Sequence, residues 1–462
     1  MKPLKVEEIV KAIDGRIVRT GKAKSITGVS TDTRTINQGD IFIPLTGDRF
    51  NGHRFIKEAV AKGASAILTQ ELNIRFPKGI HVIYTHDTLK ALQTLSSWYL
   101  ESFDIQVVAV TGSTGKTTTK DMIYEVLSEK YKTLKTLGNY NNEIGLPLTL
   151  LNLDSTHNIV VLEMGMSDLG EISRLVELAS PKVAIVTNVG VSHIERLGSI
   201  ENILKAKLEI FEGFDEKCTA IINSDDDMLS HASESFNHPV IRFGTKPPAD
   251  IMAEDISIIG DEGLSYFIKI DGERYEIRLN VPGVHNVYNS LAAIAIGRAL
   301  GLTLEEIQMG LLRFKGDSMR MNIFTIDNDI KVINDSYNAS PDSMKAALNV
   351  LRSMEGKRRI AILGDMLELG DYSKQAHNKT GVTVADCGID ILITRGEFAS
   401  WTAEGALNSG MPSPKVMQLD SNNDIIVCLN NLLAEGDRIL IKGSRGMHME
   451  EIAASLQDRR TL

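Results

Sequence analysis

The chain has 462 residues, too many for one ordinary hydrophobic core, so we expect two to four domains. Its 43% hydrophobic and 24% charged residues are typical of a soluble globular protein. With 50 basic against 60 acidic residues, the net charge of −10 argues against a nucleic-acid-binding surface.

The three cysteines, Cys218, Cys387 and Cys428, are isolated and odd in number. They form no Cys-x-x-Cys pair, which indicates a reducing compartment rather than a disulfide framework. Residues 2–15 place apolar side chains at helical spacing among charges, a pattern of an amphipathic helix and not of a signal peptide. No apolar run approaches the length that spans a membrane. We therefore expect a cytoplasmic protein with neither membrane nor nucleic acid as a partner.

Residues 1–104 mix short strands and helices, which indicates a small mixed α/β domain. Ile26–Ser30 and Asp40–Leu45 have strand patterns on either side of a polar turn. Gly52–Gly63 and Asp87–Glu101 have helical patterns, the second with leucines on one face.

A second domain begins at Ile105 and alternates strand and helix patterns. Such alternation predicts a mainly parallel sheet with helices on both faces. A hairpin around Asp271-Gly272 interrupts the alternation, and a helix from His285 to Leu300 follows. The alternating segments are Val107–Val110, Thr117–Tyr131, Ile159–Leu162, Leu169–Ala179 and Val183–Val189.

The polar segment Lys315–Met321 has the composition of a linker and has no apolar stripe to fix it to its neighbours. Three β-rich runs after it, Arg359–Leu363, Ile391–Thr394 and Arg438–Ile441, each end in a glycine-containing turn. They predict a second doubly wound, Rossmann-like domain. The predicted fold class is therefore α/β with domains at 1–104, 105–316 and 317–462, and we expect the last domain to swing about residues 315–321.

The most informative stretch runs from Ile105 to Thr119. Buried-strand residues lead into Gly112-Ser-Thr-Gly-Lys-Thr and then into a helical pattern. Backbone N–H groups and the helix dipole bind phosphate in such a loop. Lys116 would reach the β- and γ-phosphates, and the Thr117 hydroxyl would bind Mg²⁺. The usual motif has an earlier glycine where this chain has Val110, so the loop is a Gly-x-x-Gly-Lys-Thr variant. The alternative is a chance glycine turn.

Polar residues also end two further strands of the predicted central sheet. Ligands of open α/β sheets bind beyond the carboxyl ends of the strands. Glu163 ends one strand, where its carboxylate suits Mg²⁺. Asn188 ends another and is followed by His193, which in isolation would be a surface histidine but here lies at the mouth of the sheet. Helical spacing alone leaves both Lys205 and Lys207 unassigned.

Several of these segments together resemble the Mur ligases, the ATP-dependent amide-forming enzymes of peptidoglycan synthesis. The resemblance covers all three predicted domains. The Gly-x-x-Gly-Lys-Thr loop is shared with folylpolyglutamate synthetases, whereas Asn334–Met344 and Leu363–Gly370 resemble the ligases that add D-alanyl-D-alanine. No Asp-Asn-Pro-Arg motif, typical of the diaminopimelate- or lysine-adding branch, is present. The segments that carry the family resemblance are Thr111–Thr118, Asn139–Leu150, Glu163–Met166, Asn188 with His193, and Lys207–Phe211.

The resemblance implies a role for each matching residue. ATP would bind the phosphate loop together with Asn286 and Asn289 at the adenine and Asp335 from the last domain. Lys207 matches a lysine that CO₂ carbamylates, which would turn a cation into an anionic oxygen ligand for Mg²⁺. The full expected sets are: catalytic Lys116, Lys207, His193 and Arg320; phosphate-binding Gly112, Ser113, Thr114, Gly115, Lys116, Thr117 and Thr118; metal-binding Thr117, Glu163, His193 and Lys207; substrate-binding Ser30, Asp32, Arg34, Asn141 and Asn142.

The implied activity is ATP-dependent addition of D-alanyl-D-alanine to UDP-N-acetylmuramoyl tripeptide through an acyl phosphate. This is the last cytoplasmic step of peptidoglycan precursor synthesis. The first domain would bind the UDP substrate, the central domain ATP, and the last domain the dipeptide. All partners would be small molecules, and the protein would be a monomer.

Four other readings remain. A sister ligase would add another amino acid, and a folylpolyglutamate synthetase-like enzyme would use a folate, which the uridine-type Ser30–Arg34 element disfavours. A P-loop switch or motor would need a Walker-type aspartate beside the loop, and the sequence lacks one. A noncatalytic nucleotide-binding regulator would not need the full set of metal-type residues.

Overall fold

The computed structural model describes residues 1–47 and 49–458. Packing divides the chain into two compact units, and the division passes through the predicted central domain. Within the described ranges, no helix is both long and apolar enough to cross a membrane. The first unit comprises Met1–Val110, Tyr131–Met166 and Gly170–Ala184, and the second comprises Thr111–Lys130, Ser167–Leu169 and Ile185–Leu462.

The N-terminal region is built on a five-stranded sheet in the order β1-β7-β6-β3-β2, with a two-stranded β4-β5 hairpin beside it. The predicted helix at 52–63 divides into a 3₁₀ turn, Gly52–Phe55, and a short α-helix. The elements are α1 (Val6–Ala12), β1 (Arg16–Arg19), β2 (Gly28–Ser30), β3 (Asp40–Phe42), β4 (Thr46–Gly47), β5 (Phe50–Asn51), α2 (Ile56–Ala61), β6 (Ala66–Thr69), β7 (His81–Tyr84) and α3 (Thr88–Glu101).

A seven-stranded sheet follows, in the order β14-β13-β12-β11-β8-β10-β9. Strand β10 pairs in parallel with both β8 and β9, and β13 pairs in parallel with β12 and β14, as the alternating pattern predicted. The strands are β8 (Gln106–Thr111), β9 (Thr133–Lys135), β10 (Ile159–Glu163), β11 (Val183–Val186), β12 (Thr219–Asn223), β13 (Val240–Gly244) and β14 (Ile251–Met252).

Helices connect these strands. Their bounds are α4 (Lys116–Leu127), α5 (Gly145–Leu150), α6 (Glu171–Ala179), α7 (Ile194–Leu197), α8 (Ile200–Leu208) with a 3₁₀ turn at Glu209–Phe211, α9 (Asp227–Ser233), α10 (His285–Ala299) and α11 (Leu304–Arg313).

The hairpin predicted at Asp271-Gly272 is confirmed. It lies in an antiparallel three-stranded sheet of β15 (Glu254–Ile258), β16 (Leu264–Ile270) and β17 (Glu273–Leu279). Both turn residues have positive φ, 53° and 85°, which is the geometry that Asp-Gly favours in a two-residue hairpin loop.

The C-terminal region is doubly wound, as predicted. Its sheet has the order β18-β19-β23-β20-β21-β22, and only the β18–β19 pair is antiparallel among its pairs. Alternate residues of β20 enter different cores, since Ala361 and Leu363 pack on one face and Ile360 and Ile362 on the other. The elements are β18 (Asn322–Ile326), β19 (Ile330–Asp335), α12 (Pro341–Ser353), β20 (Arg358–Gly364), α13 (Ser373–Asp386), β21 (Ile391–Arg395), α14 (Ala399–Asn408), β22 (Val416–Gln418), α15 (Asn422–Leu432), β23 (Asp437–Lys442) and α16 (Glu450–Asp458), with 3₁₀ turns at Gly370–Tyr372, Ser413–Lys415 and Arg445–Met447.

The segment predicted as an unattached linker is partly anchored, and the prediction is wrong for its second half. The Ser318 carbonyl accepts a hydrogen bond from Asn334 Nδ2 at 3.0 Å, and the Met319 carbonyl accepts one from the Tyr337 N–H at 3.1 Å. Met321 also packs against the C-terminal core. These contacts tie residues 318–321 to the C-terminal region, and a hinge in residues 315–317 stays a prediction.

Candidate active site

The loop between β8 and α4 has the backbone of a phosphate-binding loop. Gly112 and Gly115 have φ of 150° and 79°, and α4 begins at Lys116. A Cβ on Gly112 would lie 1.8 Å from Thr187 Oγ1, and one on Gly115 would lie 2.7 Å from Asn289 Oδ1. Both positions therefore require glycine for packing as well as for conformation.

The turn after β11 holds this loop from the side. Asn188 accepts the Ser113 N–H on its carbonyl at 3.0 Å and the Thr114 N–H on Oδ1 at 2.9 Å. Thr187 Oγ1 donates to the Thr114 carbonyl at 2.6 Å. Because Thr187 and Asn188 make these contacts, β11 ends at Val186 rather than at Val189, where the sequence pattern placed its end.

Lys116 lies over the loop, and its Nζ donates to the Gly112 carbonyl at 2.8 Å. Thr117 is buried in the first turn of α4, beside Thr118. A cation and a row of backbone N–H groups at one helix N-terminus form a site for an anion such as a nucleotide phosphate.

Lys207 is buried in α8 with 1% of its surface exposed, whereas Lys205 on the same helix is exposed. Across residues 1–47 and 49–458, no hydrogen bond or ion pair reaches its amine. Burial lowers the pKa of Lys207 well below its usual value, and the nearby Lys116 cation lowers it further. The structure thus shows which of the two lysines is buried, which helical spacing could not predict.

His193 precedes α7 with a φ of 64°, and its Nδ1 lies 2.7 Å from Glu368 Oε2. Burial lowers the pKa of His193, the cations of Lys116 and Lys207 lower it further, and Glu368 acts in the opposite direction. His193 is therefore within electrostatic range of Lys116 and Lys207, while the catalytic and metal-binding roles of the three residues stay predictions. Asp226 helps to fix the segment, because its Oδ2 accepts the Val189 N–H at 2.7 Å.

In the first unit, Glu163 ends β10 and is 2% exposed. Its Oε1 accepts a hydrogen bond from Asn141 Nδ2 at 2.8 Å, while Oε2 is buried and finds no hydrogen-bond partner within residues 1–47 and 49–458. An unpartnered buried carboxylate oxygen is unfavourable and suits a cation ligand. Among the residues that the structure describes, no group of three His, Cys, Asp or Glu side chains forms a complete metal site by itself.

The two asparagines expected at the adenine, Asn286 and Asn289, are buried in the first turns of α10. Asn286 Nδ2 donates to the Pro282 carbonyl at 2.7 Å, and Asn289 Nδ2 donates to Asn286 Oδ1 at 2.9 Å. Asn289 Oδ1 also accepts from Thr119 Oγ1 at 3.0 Å, which links α10 to α4 below the phosphate loop. Their contact with adenine stays a prediction.

Two residues expected to act from the last domain have well-defined surroundings. Asp335 Oδ2 accepts a hydrogen bond from Lys442 Nζ at 2.5 Å, and both side chains are buried. The Arg320 guanidinium stacks on the Tyr337 ring, 3.8 Å from its centroid. Within the described part of the chain its guanidinium makes no hydrogen bond or ion pair, so its donors can reach a phosphate.

The expected substrate residues of the N-terminal region form a compact turn. Ser30 Oγ accepts the Asp32 N–H at 3.1 Å, and Asp32 pairs with Arg34 at 2.6 Å. The Arg34 side chain is 85% exposed and accessible to a ligand. Asn142 Oδ1 accepts the N–H of Gly145, the first residue of α5, at 2.9 Å. A uridine or tripeptide contact from these residues stays a prediction.

Sequence reasoning missed Glu368, Lys442 and Asp226. Glu368 lies in the Leu363–Gly370 segment, whose pattern marked a family branch but gave no role to the carboxylate. Lys442 directly follows the run Arg438–Ile441 and could have been found as a charged residue at a strand end.

Comparison with known proteins identifies the family of the chain. Three domain families match in order: the Mur ligase family catalytic domain over residues 25–94, the Mur ligase middle domain over 110–297, and the Mur ligase glutamate ligase domain over 319–445. The chain is 40% identical to UDP-N-acetylmuramoyl-tripeptide–D-alanyl-D-alanine ligase of Bacillus subtilis, over 98% of each chain.

Solved structures of Mur ligases are also similar to this chain. MurF from Acinetobacter baumannii superposes with a TM-score of 0.90 at 32% identity, covering 99% of each chain. MurF ligase from Thermotoga maritima, solved in complex with ADP, superposes with a TM-score of 0.82 at 28% identity over 94% of this chain and 98% of that one. The predicted fold class is confirmed, and the chain belongs to the Mur ligase family.

Proposed function

We propose that this chain is an ATP-dependent ligase that joins D-alanyl-D-alanine to UDP-N-acetylmuramoyl tripeptide in the cytoplasm, as the last step there of peptidoglycan precursor assembly. The observation that carries the proposal is the grouping of a phosphate-binding loop with Lys207 and His193, in a chain similar over its whole length to such ligases.

Amide formation from a carboxylate needs activation because an oxide is a poor leaving group. A carboxylate oxygen of the tripeptide attacks the γ-phosphorus of ATP, and the bond to the β–γ bridging oxygen breaks to release ADP. The dipeptide amine then attacks the acyl carbon, loses a proton, and expels inorganic phosphate from the tetrahedral intermediate. Lys116 and Arg320 are expected to neutralise charge on the transferred phosphoryl group, so catalysis is mainly positioning and electrostatics.

One feature in each compact unit suits a divalent cation. Among the described residues, Glu163 has a buried carboxylate oxygen without a donor, and Lys207 has a buried amine without a partner. Carbamylation by CO₂ would convert that amine into an oxygen ligand. Thr117, Glu163, His193 and carbamylated Lys207 are the residues expected to hold Mg²⁺. When bound, Mg²⁺ supplies charge neutralisation at the phosphates.

The three predicted domains divide the substrates among them. Residues 1–104 are expected to bind the UDP moiety, 105–316 ATP, and 317–462 the dipeptide, with Asn286, Asn289 and Asp335 around the nucleotide. We further expect a monomer whose last domain closes to exclude water, because water would hydrolyse the acyl phosphate.

The experiment is to supply ATP, Mg²⁺ and UDP-muramoyl tripeptide with one amine at a time and to identify the product by mass. D-alanyl-D-alanine should give the pentapeptide, whereas single amino acids should give none. A product with diaminopimelate, lysine or glutamate instead would support a sister ligase, and glutamylation of a folate would support the folylpolyglutamate alternative.

A further inference from the structure

The segment that carries His193 is packed onto the C-terminal region. Val191 and Ile194, on either side of His193, pack against the core cluster that includes Met366 and Leu369. A Cβ on Gly370 would lie 3.2 Å from Glu195 Cγ, so the two backbones approach closely here. The position of His193 therefore depends on the loop at residues 366–370, which we call the docking loop.

Glu368 is the residue of the docking loop that contacts the imidazole, with Oε2 2.7 Å from Nδ1. Both residues have left-handed backbones, with φ of 63° and 64°, although neither is glycine. Such conformations persist only where the surroundings fix them, and they are concentrated at functional sites. The two backbones thus place the Glu368 and His193 side chains next to each other.

The docking loop is hydrogen-bonded to the rest of its domain. The Met366 N–H donates to His377 Nε2 at 3.0 Å, and the Leu367 N–H donates to Ser444 Oγ at 2.9 Å. His377 is itself fixed, because its Nδ1 donates to the Ser373 carbonyl at 2.7 Å. Glu368 therefore moves with the C-terminal sheet and cannot follow His193 independently.

A carboxylate beside one imidazole nitrogen influences which of the two ring nitrogens carries the proton and which can bind a metal ion. Among the described residues Nδ1 has no hydrogen-bond partner, but Glu368 Oε2 lies within ion-pair distance of it. A carboxylate beside Nδ1 favours the tautomer that carries its proton on that nitrogen, which leaves the lone pair on Nε2. We propose that Glu368 is a positioning residue: docking of its loop orients His193 and leaves Nε2 ready to bind a divalent cation. Cation affinity is then linked to the docked state of the C-terminal domain. This inference rests on the proposed function, which makes His193 a metal ligand.

The test measures binding of Mn²⁺, used as the probe, to the full-length chain saturated with ADP, by electron paramagnetic resonance. Glu368→Ala should weaken Mn²⁺ binding about 10-fold or more, in the range that removal of such outer partners causes. Glu368→Gln should weaken it less, because an amide oxygen at the same place keeps a polar acceptor beside Nδ1. Asp371→Asn, which removes an exposed carboxylate three residues away, is the matched control and should bind like wild type.

A second measurement separates positioning from a general structural effect. The Mg²⁺ concentration that half-activates ligation should rise in Glu368→Ala, while KM for the UDP substrate stays unchanged. If Glu368→Ala binds Mn²⁺ with the affinity of wild type, the inference is overturned. If the alanine variant does not fold, equal Mn²⁺ affinities of Glu368→Gln and wild type would overturn it instead.

His193→Ala separates failure of the inference from failure of the proposed function. If His193→Ala binds Mn²⁺ like wild type, the metal role of His193 in the proposed function is wrong, and with it the basis of the inference. If His193→Ala loses Mn²⁺ affinity and Glu368→Ala does not, the metal role stands and only the positioning role of Glu368 is rejected.

Discussion

Asp335 and Lys442 occupy opposite positions at the carboxyl ends of the parallel strands β19 and β23, where their side chains form a buried ion pair at 2.5 Å. Lys442 Nζ also donates to the Asn338 carbonyl at 3.0 Å. The ion pair with Lys442 helps to fix the position of the Asp335 carboxylate, which is expected to contact the nucleotide.

Lys442→Met should destabilise the protein by about 3–5 kcal/mol, since it leaves Asp335 buried without a counter-charge. Asp335→Asn in the same chain should recover part of that loss by removing the unpaired charge. Unfolding in urea of the two single variants and the double variant gives the coupling energy. Strictly additive losses would show that the pair makes no specific contribution.

Lys116→Ala should abolish ligation, because it leaves the phosphoryl charge unbalanced at the centre of the site. The measurement is kcat at saturating substrates, with Lys132→Ala, a change at an exposed lysine, as the control. Retention of more than about a tenth of the wild-type kcat, a loss below about 1.4 kcal/mol, would contradict the assignment.

Lys207→Ala should be almost inactive and should regain activity when a small carboxylate such as acetate is added, because the acid replaces the missing oxygen ligand. The matched control is Lys205→Ala, which removes an exposed lysine from the same helix and should be fully active. An active Lys207→Ala enzyme, or one that no carboxylate rescues, would count against a carbamate.

His285 should make the protein less stable as the pH falls. Burial lowers the pKa of His285 to about 4, while Asp335 raises it and Lys442 lowers it. In the unfolded chain the histidine has a pKa near 6.5 and binds a proton at a pH where His285 in the folded chain stays neutral. The free energy of unfolding therefore decreases as the pH falls from about 6.5 towards 4.

Between pH 7 and pH 4.5 this loss should amount to about 2 kcal/mol. Urea unfolding of wild type and of His285→Gln, compared at both pH values, isolates the contribution from that of other titrating groups. The difference in stability between the two proteins should change over this range, and a difference independent of pH would show that His285 is not held neutral.

Much of the fold could be predicted from the sequence because its signals are local. The alternation of strand and helix patterns predicted both doubly wound regions. Asp271-Gly272 predicted the hairpin, because this pair of residues favours a two-residue turn with positive φ. The phosphate loop was predictable for the same reason, because strand, glycines, Lys116 and helix are contiguous in the chain.

The remaining features depend on contacts between distant segments. Lys205 and Lys207 have similar helical contexts, and only packing shows that Lys207 is the buried one. The His193–Glu368 contact joins residues 175 positions apart in the chain. Neither residue is a glycine, so the sequence does not predict their left-handed backbone conformations. The anchoring of Ser318 and Met319 likewise uses Asn334 and Tyr337, which a composition-based view of a polar linker does not include.

The most direct test of the proposed ligase is phosphate release from ATP in the presence of UDP-muramoyl tripeptide, with and without D-alanyl-D-alanine. The account predicts sustained release, one phosphate for each pentapeptide formed, only when the dipeptide is present. Sustained release at the same rate without any amine would contradict it and would support a nucleotide-driven switch.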